Sequence, residues 1–285
     1  MKKIIVPVDF SKHSYYALEV AANLAKKIDA SLFICHILDL PHMSLSDGDT
    51  PASIFLLKMT KEKMRKTMAK PYLEGIKVQE EVVYDETIDF VSEKANEIDA
   101  DLIIMGTHGS RGDRENFVGS NTEKVVRTAD VPVLAIKQKY PEFEPKHIAF
   151  ASNFYGEVDS VFEKVKNFAN VFNSKIHLLK VITPNLFETT PYSQKLMDDF
   201  AKRFELDNYE THIFNEKHAE DGIIDFSRIN NMDLIAMSTH GRTGLARILN
   251  GSIAEEITNH APLPVLSIKV KETKDSGNIL FPDIR

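Results

Sequence analysis

The sequence predicts an α/β protein built from two tandem, doubly wound, parallel five-stranded sheets of Rossmann-like type, related by a pseudo-twofold axis. The chain has 285 residues, which is enough for about two domains. Strand-length runs of apolar and β-branched residues alternate with amphipathic stretches of helical length, the pattern of βαβ units. Residues 105–137 also align without a gap on residues 237–269, with 14 identities in 33 positions. This repeat indicates a duplication.

In the first copy, each predicted strand except the last is followed by a predicted helix. The run Leu102-Ile103-Ile104-Met105 is apolar throughout, as expected for a strand covered by helices on both faces of a sheet. The amphipathic stretches between the strands have helical length. In chain order, the predicted elements are strand 3–8, helix 14–27, strand 31–38, helix 54–69, strand 78–84, helix 88–97, strand 101–105, helix 120–127 and strand 132–137.

The second copy repeats this order in a shorter form. The alignment offset falls from 144 near the start to 132 in the later windows, so the second copy lacks 12 residues. Most of that difference falls where the first copy carries residues 41–70. The predicted strands are 147–151, 175–182, 209–214, 234–237 and 264–269. The predicted domains are residues 1–138 and 146–270, followed by a tail at 271–285, and the short joint between the domains favours halves that pack on each other.

The composition is that of an ordinary globular protein and limits the classes of partner. The chain is 43% apolar and 27% charged, and its net charge of −7 argues against nucleic-acid binding through overall positive charge. No apolar run approaches the roughly 20 residues of a membrane span, and the first residues do not resemble a signal peptide. We therefore expect a cytoplasmic protein that binds neither nucleic acid nor membrane. The lone Cys35 is expected to be a buried residue without redox function.

Glycine is concentrated in the two repeated windows. Each window follows a buried strand and leads into a helix, whose free N–H groups and dipole favour a phosphate group at the carboxyl ends of parallel strands. Glycine lets the main chain approach such an anion closely. Of the 12 glycines in the chain, those in the windows are Gly106, Gly109, Gly112, Gly119, Gly241, Gly244 and Gly251.

A structural explanation of the same windows stays open. Ser120 and Ser252 stand at the expected helix starts, and Glu123 and Glu255 follow three residues later, which is the spacing of a capping box. Each serine could therefore cap its helix, a contribution of about 1 kcal/mol to stability. The Ser-x-x-Glu pattern alone does not distinguish a cap from a ligand site.

The longer pattern Gly106-x2-Gly109-x9-Gly119-Ser120 follows a predicted strand and is accompanied by Asp9 at the end of the first strand. In this respect the chain resembles the universal stress protein family in its tandem two-domain form, with a fold like that of the adenine nucleotide alpha hydrolases. The resemblance covers nearly all of residues 1–270. It implies an ATP site in the first copy, with or without Mg²⁺, and a role in stress response.

The resemblance implies a role for each matching residue of the first copy. Asp9 would accept a hydrogen bond from adenine, and Pro7 and Ile37 would line the base. The remaining contacts would be Met105 and Gly106 with the ribose, and Gly109, Gly119, Ser120 and Thr122 with the phosphates.

The resemblance also implies how the two copies meet, since domains of this family pair through their last strand. Residues 131–137 and 263–269 are nearly the same strand. Unpaired strand edges invite association, so the two copies can join within one chain as an intrachain pseudo-dimer. A homodimer of whole chains stays open.

The second copy departs from the pattern. Ser238 replaces the first glycine, Asn153 replaces the aspartate, and Lys180 aligns with Ile37. If the glycine position needs a positive φ, serine there costs roughly 1–2 kcal/mol of binding free energy. A neutral acceptor in place of a charged one loses about 1 kcal/mol more of the binding free energy. Because 1.4 kcal/mol is a tenfold change, ATP binding would be about ten to a hundredfold weaker. The weaker second site would consist of Asn153, Met237, Ser238, Gly241, Gly251 and Ser252.

The sequence lacks the residue sets expected of an enzyme that transfers phosphoryl groups. No cation clamp, no metal-binding carboxylates and no positioned base are visible in the sequence. His108 and His240 are interpreted as structural loop histidines. We expect no enzyme activity, no catalytic residue and no resident metal site. Three hypotheses stay open: an ATP-dependent regulator or interaction module, a nucleotide-free scaffold, and a slow ATPase or autophosphorylating protein using Ser120 or Thr122.

Overall fold

The computed structural model describes residues 1–38, 51–84, 88–107, 120–155, 158–239 and 250–270, without the side chains of 51–53, 120 and 250–252. The strands are β1 (Lys3–Pro7), β2 (Ser31–Leu38), β3 (Val78–Tyr84), β4 (Leu102–Gly106), β5 (Val133–Ile136), β6 (His147–Ala151), β7 (Lys175–Ile182), β8 (Tyr209–Asn215), β9 (Leu234–Thr239) and β10 (Val265–Lys269). The helices are α1 (Lys12–Ile28), α2 (Pro51–Met68), α3 (Asp89–Glu97), α4 (Ser120–Thr128), α5 (Asp159–Phe172), α6 (Thr190–Arg203), α7 (Ala219–Ile229) and α8 (Asn250–His260).

The strands form one ten-stranded sheet in the order β3-β2-β1-β4-β5-β10-β9-β6-β7-β8. Within each half the paired strands are parallel, and the first strand lies between the second and the fourth. This arrangement confirms the predicted fold class of two doubly wound, parallel, five-stranded halves.

The two halves join through the antiparallel pair β5–β10. Leu134 pairs with Leu266, and Ala135 pairs with Val265. Leu134 and Leu266 are equivalent positions of the two copies, so the register centres a local twofold axis on this pair. The result is one continuous sheet without an open edge between the halves.

Helices cover both faces of the sheet, as the continuous apolar strands predict. On one face, a single core cluster runs through both halves beneath α1, α2, α5 and α6. On the other face, α3 and α4 cover the first half and α7 and α8 cover the second, each over a separate cluster. Cys35 is completely buried in the first of these, as expected. None of the helices in the described ranges is long and apolar enough to cross a bilayer.

Two lysines at the ends of the joining strands cross the twofold axis. Lys137 Nζ donates a hydrogen bond to the Ala261 carbonyl just beyond the end of α8. Its counterpart Lys269 donates to the Thr128 carbonyl at the end of α4 and pairs with Asp130 at 2.9 Å. A cation at a helix C-terminus is favoured by the helix dipole. Only the Lys269 contact has a carboxylate, because Pro262 occupies the position that corresponds to Asp130.

We expect the stability of the chain to depend on the charge of Lys137. Burial lowers the pKa of Lys137 to about 8. Between about pH 8 and the ordinary lysine pKa near 10.4, the unfolded chain therefore holds a proton that the folded chain has lost, and stability rises with pH. Below pH 8 the cost of burying the charge is fully present. The stability of wild type relative to a Lys137→Met variant should therefore rise from pH 8 to 10.5 in urea denaturation.

A second variant tests the same contact by changing a residue near Lys137. Pro262→Asp would give Lys137 the carboxylate that Lys269 has, and it should stabilise the chain at pH 7 and flatten the rise in stability above pH 8. If the stability difference between Lys137→Met and wild type stays constant over this pH range, the pKa of Lys137 is not lowered.

Candidate functional site

The predicted first site lies at the topological switch point of the first half. From β1 the order of the strands runs one way to β2 and the other way to β4, and ligands of such sheets bind at the carboxyl ends of the strands beside this point. The described residues of the predicted site lie at or just beyond those ends, with Thr122 in the first turn of α4. Gly109 and Gly119 are outside the described residues, and Ser120 begins α4 with its side chain outside them. The residues at the strand ends are Pro7, Asp9, Ile37, Met105 and Gly106.

Two of the apolar site residues belong to the same face of the sheet. Ile37 and Met105 both pack into the core cluster beneath α3 and α4. Met105 is buried, whereas Ile37 and Pro7 are half-buried. The half-buried pair leaves apolar surface at the strand ends, which suits the face of a planar base.

Asp9 is exposed at the end of β1 and builds a tight turn. Its Oδ1 accepts a hydrogen bond from the Ser11 amide at 2.9 Å, and the intervening Phe10 has a φ of +64°. Burial acts to raise the Asp9 pKa, but hydrogen bonds from Ser11 and Ser14 outweigh it and hold the pKa below its usual value. The carboxylate is therefore ionised at neutral pH, which makes it a strong acceptor for a ligand amino group.

Gly106 is required by packing within the first half. A Cβ at this position would lie 2.3 Å from the backbone carbon and oxygen of His13 and 2.6 Å from the Ser14 amide nitrogen. Its φ is not in the positive range, so the condition for a positive-φ cost at Ser238 is not met, and close approach to α1 is the reason for this glycine. The buried Thr122 hydroxyl lies 3.4 Å from the Gly106 carbonyl, to which it donates.

The first helix of the second half begins later than the first helix of the first half. By the alignment of the copies, Asp159 at the start of α5 corresponds to Tyr15, so α5 begins three residues later than α1. Val158, the N-cap of α5, corresponds to Ser14, and the residue that corresponds to His13 lies outside the described residues.

The second half repeats the turn of Asp9 with a neutral residue. Asn153 Oδ1 accepts a hydrogen bond from the Tyr155 amide at 3.0 Å, and Phe154 has a φ of +62°. Met237 is buried, as Met105 is. Of the other residues predicted for this weaker site, Gly241 lies outside the described residues, and Gly251 and Ser252 lie in α8 with their side chains outside them.

The expected equivalence of Lys180 with Ile37 was wrong by one residue. The Val8 amide bonds to the Cys35 carbonyl, and the Ser152 amide bonds to the Leu179 carbonyl, so Lys180 corresponds to His36. A shift of one residue moves a strand side chain to the opposite face. Lys180 therefore lies on the face of α5 and α6, and His36 lies on the face of α1, where its Nδ1 donates to the Val8 carbonyl at 2.6 Å.

Lys180 belongs to a polar cluster at the carboxyl ends of β6 and β7. Its buried ammonium group donates to the Asn153 carbonyl at 2.8 Å and lies 3.1 Å from a Glu188 oxygen and 4.6 Å from the Tyr155 ring centre. The Tyr155 hydroxyl donates to Glu188 and lies 3.1 Å from the Tyr192 hydroxyl. Burial, followed by these hydrogen bonds, raises the Tyr155 pKa. Lys180, Glu188 and Tyr155 thus hold the turn of Asn153 in place.

The capping-box alternative, left open for Ser120 and Ser252, is contradicted for Ser252, whereas the side chain of Ser120 is outside the described residues. Helix α8 begins at Asn250, two residues before Ser252, so Ser252 is not an N-cap. Glu255 instead lies 3.6 Å from Arg127, and Glu123 accepts a hydrogen bond from Asn259. These glutamates connect α4 and α8 across the twofold axis, a long-range contact that the local spacing does not reveal.

A histidine ladder crosses the second half and was missed by the sequence analysis. His147 Nδ1 lies 3.0 Å from His177 Nε2, and His177 Nδ1 lies 3.0 Å from His212 Nε2. Glu210 flanks the last two rings at 3.5–3.6 Å. Burial lowers the pKa of His177 to about 4 and also lowers that of His212. The alternation of Glu210 and His212 within one strand was the available signal.

Comparison with known proteins gives consistent matches. A sequence profile described as the universal stress protein family matches residues 1–137 and again residues 146–269. A universal stress protein of Methanocaldococcus jannaschii is 33% identical over 144 residues, or 50% of this chain and 85% of that protein. A universal stress protein of Synechocystis is 19% identical and covers 94% of this chain and 100% of that protein.

A solved structure shares the fold over both halves. The crystal structure of a universal stress protein from Archaeoglobus fulgidus matches with a TM-score of 0.74 at 19% identity, covering 94% of this chain and 98% of that chain. The two profile matches and the shared two-half fold confirm the resemblance found in the sequence, and the chain belongs to the universal stress protein family, in tandem form.

Proposed function

We propose that the first half binds ATP, with or without Mg²⁺, at the carboxyl ends of β1, β2 and β4, and that the chain is a nucleotide-dependent regulator or interaction module in a stress response. The observation that carries the proposal is the contrast between two equivalent turns. Asp9 presents an exposed, ionised carboxylate beside half-buried apolar residues. The equivalent Asn153 is neutral, and its turn is held by Lys180.

The proposed contacts follow the elements that carry the residues. Asp9 accepts from the adenine amino group, Pro7 and Ile37 lie along the base, and Met105 and Gly106 lie next to the ribose. Phosphate binding is assigned to the segment between β4 and α4, because the free N–H groups of a helix start favour anions. The residues proposed for the phosphates are Gly109, Gly119, Ser120 and Thr122.

The second half is proposed as the weaker or empty partner. A nucleotide there would need to displace Lys180 and Glu188 from their mutual contact, and separating a buried charged pair is costly. It would also meet an amide in place of a carboxylate. Nucleotide occupancy of the first half then acts by stabilising one conformation, with a gain of about 2.7 kcal/mol at a ligand concentration 100 times Kd.

An isosteric exchange tests the carboxylate. Asp9→Asn should weaken ATP binding about tenfold, because a charged acceptor becomes a neutral one, a loss of about 1.4 kcal/mol. The fold should be retained, since Asn153 makes the same turn in the second half. Isothermal titration calorimetry with ATP measures the affinity, and thermal unfolding checks the fold.

The matched control is Asn153→Asp, which places the carboxylate in the second half without removing Lys180. It should leave ATP affinity and stoichiometry as in wild type. If the ATP affinity of Asp9→Asn equals that of wild type, the Asp9 carboxylate does not contact ATP. Wild-type protein that binds no ATP at millimolar concentration would instead favour the nucleotide-free scaffold.

A further inference from the structure

We propose that the second half carries a binding site for a divalent transition-metal ion of the Zn²⁺ type, formed by His177, Glu210 and His212. The site lies on β7 and β8 beneath α7. It is separate from the proposed nucleotide site, which lies in the other half at the carboxyl ends of the strands.

The sheet register brings the three side chains to one place. His177 on β7 pairs directly with Glu210 on β8. His212 is two residues beyond Glu210, and because side chains alternate along a strand, it lies on the same face. Neighbouring side chains on one face of a pair of strands are within contact distance.

The ligand atoms already face a common point. His177 Nδ1 and His212 Nε2 are 3.0 Å apart, and Glu210 Oε2 is 3.6 Å from the first and 3.5 Å from the second. In a tetrahedral zinc site with bonds of about 2.0–2.1 Å, ligand atoms lie roughly 3.4 Å apart. An ion therefore requires movements of only a few tenths of an ångström.

Neighbouring residues fix the orientation of the ligands. His147 Nδ1 lies 3.0 Å from the outer nitrogen of His177, the kind of second hydrogen bond that orients metal-bound imidazoles. Lys175 binds Glu210 Oε1 and leaves Oε2 toward the histidines. His177 is buried, whereas His212 and Glu210 are partly exposed, which gives an ion and a water ligand access from solvent.

The ligand set is present in one copy alone. The first half has Phe33, Gln79 and Glu81 at the equivalent positions, and Lys94 lies 3.4 Å from Glu81 and 5.5 Å from the Phe33 ring centre. The second half replaces that lysine with Phe226, which packs on His212. A cation is thus removed and imidazoles are introduced at the same place. Two imidazoles with one carboxylate suit Zn²⁺, whereas Mg²⁺ prefers oxygen ligands.

Metal titration of the full, chelator-treated chain tests the site. Co²⁺ should bind with one equivalent and give visible absorption bands of a low-coordinate site, Zn²⁺ should displace it, and millimolar Mg²⁺ should not. Glu210→Gln and His212→Gln should each weaken Zn²⁺ binding at least tenfold. His218→Gln, an exposed histidine before α7, should bind as wild type.

Because the Glu210 side chain is half-exposed, Glu210→Gln should leave the fold intact, so the test does not depend on a change in folding. If His212→Gln unfolds, as seen by circular dichroism, Glu210→Gln alone decides. Absence of stoichiometric Co²⁺ and Zn²⁺ binding by wild type at micromolar concentration would overturn the proposal. Wild-type Zn²⁺ affinity in folded Glu210→Gln would do the same, because the ion would then be bound elsewhere.

Discussion

Gly106→Ala is expected to destabilise the folded chain by about 3 kcal/mol, the upper range for overpacking a tightly packed site. The added Cβ would lie 2.3 Å from backbone atoms of His13, which cannot move away as a flexible side chain can. For a domain of this size, 3 kcal/mol corresponds to a fall in Tm of roughly 6–12 °C. Differential scanning calorimetry of the nucleotide-free protein measures the change.

The control is Ser238→Ala at the equivalent position of the second half. A Cβ is already accommodated there, so its Tm should stay within about 2 °C of wild type. The pair also separates two roles of Gly106. A Gly106→Ala variant with wild-type Tm and weakened ATP binding would contradict the packing explanation and leave ribose contact as the reason for the glycine.

The sequence predicted the sheet well because its signals are local or repeated. Strands β2, β3, β6 and β7 have the predicted bounds. Helix α1 begins two residues earlier than predicted because the Ser11 hydroxyl accepts from the Ser14 amide and caps it. Such a cap depends on the turn that precedes it, which periodicity does not detect.

Features that depend on pairing between distant segments were not predictable in the same way. The offset of 144 between the copies already places Lys180 opposite His36, and the register of β6 with β7 agrees, so the expected equivalence with Ile37 was one residue out. Glu255 matched a capping box by spacing, but its partner is Arg127 in the other half. The contact of His177 with His212 joins adjacent strands 35 residues apart. Local sequence spacing carries no information about these contacts.

Gly109→Val is expected to reduce ATP affinity more than a hundredfold, to the point where binding is not detected at millimolar ATP. Gly109 lies outside the described residues, and the expectation rests on the glycine pattern between β4 and α4. A β-branched side chain would prevent the close approach of backbone N–H groups to phosphate. A loss of about 2.8 kcal/mol gives a hundredfold change. Calorimetric titration with ATP, together with mass spectrometry of nucleotide released on denaturation, measures the loss.

The same substitution in the second half, Gly241→Val, is the matched control. It should leave ATP affinity unchanged, because Lys180 and Glu188 already hold the turn of Asn153 and a nucleotide there would have to separate them. The reverse ranking of the two variants would move the site to the second half, where an anion could pair with Lys180 once Glu188 is displaced. If both variants keep the ATP affinity of wild type, neither glycine approaches phosphate. ATP recognition would then depend on the base and ribose contacts at the ends of β1, β2 and β4.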